Sequence, residues 1–303
     1  SNEAGIVFRK DKTFLLDWMQ VYMEAQESAG KKDGSQIKIA MRILKDYAGE
    51  MVTLDQIDGD FCRGYITYLL TEYHPKGKDI SNYTLHNYYR ALNGALNSAV
   101  RKRKMKANPF NELEKSEKIR KPESMRSYMT IEEVQALIDT PMPHEEYEIV
   151  KCAYLFSCFC GLRISDIIKL KWNDVFVDRG QYRLAVSMKK TKEPIYLPLS
   201  PEALKWMPER GGKSSEDNVF DLPSANTIRM QLKPWAKAAG ISKRFSYHTS
   251  RHTFATMMLT LGADLYTVSK LLGHADVKMT QVYAKIINKK KDEAVNLVNG
   301  LFH

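Results

Sequence analysis

Two helical domains, the second carrying one small antiparallel sheet, are what this sequence predicts. Three observations lead there. Residues 11 to 104 show helical hydrophobic periodicity broken by turn signals, residues 108 to 124 form a basic stretch holding two prolines, and "YRLAVSMKKTKEPIYLPL" contains two alternating runs around a polar turn. The 303-residue chain exceeds the ~100–200 residues of a typical domain, so each half can bury a core of its own. The helical first domain is expected at 1–107, a basic linker at 108–124 and the mixed, mostly helical second domain at 125–303.

In the first half, "FLLDWMQVYMEA" places Phe14, Trp18, Val21 and Tyr22 on one helical face, and "IKIAMRILKDY" does the same with Ile37, Met41 and Leu44. A third helix follows "TLDQIDGD" and carries Phe61, Tyr65, Tyr68 and Leu69. The fourth and longest starts near Ser81 and runs through Leu85, Leu92, Leu96 and Ala99 into "RKRKMK". Pro109 and Pro122 then interrupt the pattern, with little apolar material between them. The second half opens on Thr130 and Glu133 at capping-box spacing. "DVFVDRG" joins the sheet, helices return from Ala225 onward, and Gly240, Gly262 and Gly273 sit where glycines end helices.

Composition sets the partner class. With 44% hydrophobic and 27% charged residues the chain reads as globular. No apolar run approaches the ~18 residues that span a bilayer and nothing resembles a signal peptide, so the expected compartment is the cytoplasm. Cys62, Cys152, Cys158 and Cys160 have no zinc-holding spacing and read as reduced core residues. A formal charge of +10 points toward a polyanion. Ten Lys/Arg against four Glu fall between Arg101 and Arg126, a run that reads either as a solvated linker or as a phosphate-facing patch. Arg101, Lys102, Arg103, Lys104 and Lys106 are its candidate phosphate contacts.

The chemistry concentrates in "HTSRH", residues 248–252. His248 and His252 at i, i+4, with His274 further on, imitate a three-histidine zinc site. Thr249 stands where that site needs a glutamate, however, and Arg251 would put a fixed cation beside the metal. A phosphate suits the set better. Arg163 in "GLRISD" and Arg251 offer two planar forks for nonbridging oxygens, and His248 can add a hydrogen bond or move a proton. Asp166, three residues after Arg163, reads as its ion-pair partner. Lys189 and Lys190 sit at the hairpin tip.

Taken as an ordered set, "GLRISD", the lysine hairpin, "HTSRH", "LLGH" and Tyr283 resemble the tyrosine site-specific recombinases, the lambda-integrase family, with family-like gaps of 23 residues from Arg251 to His274 and nine from His274 to Tyr283. The resemblance spans both halves. It implies a SAM-like core-binding domain followed by a catalytic domain, with Arg163, His248, Arg251 and His274 around the scissile phosphate and Tyr283 as nucleophile. Lys190 is favoured over Lys189 as the acid because family members often show Lys-Thr there. Asp166 and His252 are implied as supports behind the reacting groups, and Lys189 as a DNA contact.

The implied reaction runs through a 3′-phosphotyrosine. One phosphodiester is exchanged for an ester of similar energy, so no cofactor, ATP or metal is expected, in keeping with a sequence that lacks a P-loop. The implied partners are double-stranded DNA and three further copies of the chain, a homotetramer on two DNA sites, with room for accessory DNA-bending proteins. A type IB topoisomerase-like nicking-closing enzyme and a noncatalytic DNA-binding protein of the same fold are the alternatives. Past the tyrosine, "KDEAVNLVNGLF" sets Ala294, Leu297, Val298, Leu301 and Phe302 on one stripe of a short helix. That stripe either folds back on its own domain or, as the resemblance implies, docks on a neighbouring protomer.

Overall fold

The computed structural model describes residues 12–122, 126–187, 194–283 and 291–302. It divides into two compact units, Ser1–Ser124 and Met125–His303. No helix among the described residues is long and apolar enough to cross a membrane.

The first unit is built on helices α1 (Leu15–Ser28), α2 (Gly34–Ala48), α3 (Gly59–Thr71) and α4 (Asn82–Arg101). Asp58 and Ser81 cap α3 and α4 by accepting from the amides of Phe61 and Thr84, which satisfies donors that the first helical turn leaves free. The buried face of α1 is Leu15, Trp18, Met19 and Met23, while Val21 points out at 53% exposure. The expected face is thus rotated, because Leu15 and Met19 complete an i, i+4 stripe with Met23 that includes Trp18 and leaves Val21 on the far side. Buried aromatic polar ends find backbone acceptors: Trp18 Nε1 donates to the Ala95 carbonyl (2.8 Å) and the Tyr65 hydroxyl to that of Tyr88 (3.1 Å).

The stretch expected as a linker packs onto this unit. Asn108 caps a 3₁₀ turn at Pro109–Glu112 and donates to the side chains of Asn93 (2.8 Å) and Asn97 (2.7 Å) on α4. Phe110, Leu113 and Ile119 enter the core, and Phe110 meets Tyr89 edge to face with ring centroids 5.1 Å apart. Arg63 pairs with Glu117 at 2.9 Å. Three apolar side chains spaced among charges suffice to bury one side of a segment whose other side stays wet. Phe110→Ala is expected to destabilise the first unit by about 3–5 kcal/mol, read as an earlier urea transition by circular dichroism. A solvated linker would show no shift.

In the second unit, α5 (Ile131–Asp139) starts on the expected capping box, with Thr130 and Glu133 each accepting from the other's amide. Helix α6 (Glu148–Cys160) is buried on nearly every side, so its apolar run is a core helix. Burial pushes the Cys160 thiol up to about 12 and that of Cys158 well above its usual range, keeping both protonated and unreactive. After α7 (Ile164–Lys169) come β1 (Val175–Asp178), β2 (Gln181–Ser187) and β3 (Pro194–Pro198), an antiparallel sheet of order β1-β2-β3 with Leu184 opposite both Val175 and Leu197. The hairpin tip, with Lys189 and Lys190, lies outside the described residues. Helices α8 (Pro201–Leu204), α9 (Ala225–Ala238), α10 (Thr249–Thr260) and α11 (Leu265–Leu271) follow, and a 3₁₀ segment runs from Val277 to Tyr283.

The end of the chain departs from the expected helix. Helical residues give way to a 3₁₀ turn at Asn296–Val298, and Gly300 takes φ 76°, so Leu301 and Phe302 fall beyond the helix. The whole apolar stripe is exposed, Phe302 at 84%.

Candidate active site

The site is assembled where α6 ends. Gly161 adopts φ 79° to stop that helix, and a Cβ on it would stand 2.6 Å from the Phe254 ring, so only glycine fits both the turn and the close approach of α10. Two residues on, Arg163 is the N-cap of α7. The contact between Arg163 and Asp166 is not the ion pair expected from their spacing: the Asp166 carboxylate accepts from the Arg163 backbone amide at 3.2 Å. The reason is the break in the helix, which starts only after Arg163, so that the two residues stand as cap and third helical residue rather than on one face. Asp166 thereby fixes the backbone from which the Arg163 side chain departs.

Arg251 sits on the first turn of α10 and is 4% exposed. Its Nη1 donates to the Gly161 carbonyl (2.8 Å) and its Nη2 to that of Leu272 (2.6 Å). These carbonyls are the C-caps of α6 and α11, ends that carry negative partial charge, so two helices hold the guanidinium in place. The fork keeps further N–H groups for an anion. Burial and the neighbouring Arg163 lower the Arg251 pKa to about 10, which leaves it charged at neutral pH.

The three histidines expected here lie in this same positive field. Burial and then Arg251, Arg163 and Arg126 lower the pKa of His248, and the same causes bring His274 to about 4. Burial and then His248, Arg126, Arg251 and His274 bring His252 to about 3. All three are therefore neutral at physiological pH. His274 is oriented by Thr280 Oγ1, 2.7 Å from its Nδ1. Tyr283, at the end of the 3₁₀ segment, is 5% exposed and packs with Phe254, Leu259, Val268 and Leu272. Its hydroxyl stands 2.6 Å from His252 Nδ1. Burial raises the phenol's pKa, opposed by a hydrogen bond from Arg126 and by the charges of Arg126 and Arg251.

The expected residues Arg163, His248, Arg251, His274, Tyr283, Asp166 and His252 thus occupy one cluster. Arg126 is a member that the sequence reading left in the basic run. Nothing in its local spacing marks it, since it lies in an irregular stretch before α5. Among the candidate DNA contacts, Arg101, Lys102, Arg103 and Lys106 are exposed at the end of α4, whereas Lys104 is drawn over the Trp18 ring, 5.7 Å from its centroid. No group of three or more His, Cys, Asp or Glu among the described residues could hold a metal ion. What Arg126 and Arg251 beside a buried hydroxyl, with Arg163 next to Arg251, can do is bind a phosphate and bring it to that oxygen.

The family model of the phage integrase family matches residues 127–290, and that of the phage integrase SAM-like domain matches residues 14–120. The chain belongs to the phage integrase family of tyrosine recombinases. Among family members, a tyrosine recombinase of Pseudothermotoga lettingae is 29% identical over 72% of this chain and 82% of its own length. The tyrosine recombinase XerD of Vibrio vulnificus is 32% identical over 56% of this chain, a stretch spanning 59% of XerD. The phage integrase fold is shared with solved structures. The Tn1549 transposon integrase in complex with circular intermediate DNA superposes with TM-score 0.68 at 17% identity, over 89% of this chain and 94% of that one. A lambda integrase tetramer bound to a Holliday junction gives TM-score 0.68 at 19% identity, over 93% and 80%.

Proposed function

We propose that this chain is a site-specific DNA recombinase that cleaves and rejoins strands through a 3′-phosphotyrosine at Tyr283. The observation that carries the reading is the burial of the Tyr283 hydroxyl in a cluster with Arg126, Arg163 and Arg251, whose positive charge adds to burial in keeping the nearby imidazoles neutral. Such a field favours an anion, and a phosphodiester is the anion the family acts on. Arg163 and Arg251 clamp the nonbridging oxygens and balance charge that grows in the transition state. His248 and His274 stay neutral and donate to the same phosphate. Lys190, on the β2–β3 hairpin, protonates the departing 5′ oxygen. Arg101, Lys102, Arg103 and Lys106 meet the duplex backbone, as does Lys189. Rejoining reverses the ester exchange and uses no cofactor.

The functional assembly in this reading is a tetramer on two DNA sites. The exposed tail of Leu297, Val298, Leu301 and Phe302 is a surface of the kind that seeks an apolar partner. A cleft of 570 Å³ on the second unit, walled by Phe159, Leu197, Met257, Met258 and Leu271, offers a neighbour's tail such a seat. Removing residues 290–303 is expected to leave DNA binding intact and abolish assembly and strand exchange, measured by light scattering and recombination of paired sites. A truncated protein that still recombines would exclude the tail.

The experiment that tests the function is recovery and sequencing of DNA trapped covalently on the protein, with and without EDTA. A defined sequence joined through a 3′ phosphate in both conditions is the expected result. Equal trapping of unrelated sequences, with relaxation of any plasmid, would replace recombination by topoisomerase activity.

A further inference from the structure

The hydroxyl that this reaction consumes is held by a residue outside the usual phosphate clamp. His252, one helical turn beyond His248, places Nδ1 2.6 Å from the Tyr283 oxygen, and the two histidine rings cross edge to face at 4.6 Å. Both partners are buried, Tyr283 at 5% and His252 at 8% exposure, so little water competes for the bond. The groups facing His252 are His248 and Arg251 from α10, Arg126 from the stretch before α5, and His274 and Tyr283 from the segment after α11. Arg163 and Asp166 of the α7 cap stand beside Arg251. Burial first, and then the charges among these groups, keep the imidazole neutral, and a neutral ring protonated at Nε2 leaves Nδ1 as an acceptor aimed at the phenol O–H.

We propose that His252 is a catalytic residue of the recombination reaction proposed above, the group that takes the phenolic proton of Tyr283 during cleavage and returns it on religation. As the Tyr283 O–H bond breaks, its proton passes to Nδ1 and the oxygen bonds to phosphorus. The bond from phosphorus to the 5′ oxygen breaks, and that oxygen takes a different proton, from Lys190 in the reading above. The scissile phosphate raises the basicity of the resting imidazole, because its negative charge offsets the arginines that add to burial in suppressing imidazolium. Proton acceptance is thereby coupled to occupancy of the clamp, and the tyrosine stays protonated until DNA is in place.

The test uses His252→Asn, whose amide oxygen can accept the phenol's hydrogen bond where Nδ1 stands but cannot take its proton. Wild type and variant are compared in single-turnover cleavage of nicked DNA carrying the trapped site, over about pH 6 to 9. One substrate has the normal 5′ oxygen at the scissile bond, the other a 5′ bridging sulfur, which leaves as thiolate without protonation. Adduct formation by H252N is expected to be about a hundredfold slower with both substrates, since the defect lies at the nucleophile. With the sulfur substrate, its rate should also climb about tenfold per pH unit as hydroxide generates phenolate, while the wild type stays flat. Equal rates would reduce His252 to a positioning residue, and rescue by sulfur would move it to the leaving group; either overturns the proposal while leaving recombination standing. No adduct from the wild type would overturn both. Should H252N fail to bind DNA, the wild type decides in heavy water on the sulfur substrate: slowing of about twofold is expected, and none overturns the proposal.

Discussion

Tyr283→Phe is expected to abolish the covalent protein–DNA adduct while leaving DNA affinity within about threefold, because the ring's packing survives and only the nucleophilic oxygen is lost. The ring sits with Phe254, Leu259, Val268 and Leu272, contacts that Phe reproduces. The hydroxyl's own partners, His252 and Arg126, lose one hydrogen bond, a cost of about 1 kcal/mol that DNA binding does not sense. Denaturing electrophoresis of reactions with nicked DNA reads the adduct, and a gel shift reads affinity. An adduct from the Phe variant would remove Tyr283 from the reaction.

Arg251→Lys should be nearly as severe for cleavage and, unlike the tyrosine change, costly for stability. A guanidinium reaches the Gly161 and Leu272 carbonyls at 2.8 and 2.6 Å with two nitrogens and still offers N–H groups to a phosphate. An ammonium is a single point donor and cannot span that geometry. The cleavage rate is expected to fall about 10²- to 10³-fold, the scale for losing one preorganised donor to transition-state charge. A buried carbonyl left without its donor adds about 1–3 kcal/mol of destabilisation, visible as a lower melting temperature. Arg163→Lys is expected to impair cleavage with little change in melting, since Arg163 is only half-buried and its anchor to Asp166 runs through the backbone. Equal thermal losses in the two variants would refute the two-carbonyl clamp as the reason Arg251 is buried.

Sequence alone was sufficient for whatever depends on near neighbours. The capping box and glycine helix ends, the four helices of the first unit and the hairpin strands all depend on residues within a turn or a strand of one another, and the set that carries the family resemblance is read from short motifs in their order along the chain. A periodic apolar stripe or a cap acts through its immediate backbone. Tertiary structure decided what joins distant segments. Phe110, Leu113 and Ile119 looked like punctuation in a charged run until α3 and α4 provided a surface to cover them. The carbonyls that seat Arg251 lie 90 and 21 residues away from it, and His252 reaches Tyr283 across 31 residues. Arg126 joins the site from an irregular stretch with no pattern of its own. Such contacts form because helices carry side chains to one point in space, and the energy that fixes them, desolvation of a few charges among a few acceptors, leaves no period in the chain to read.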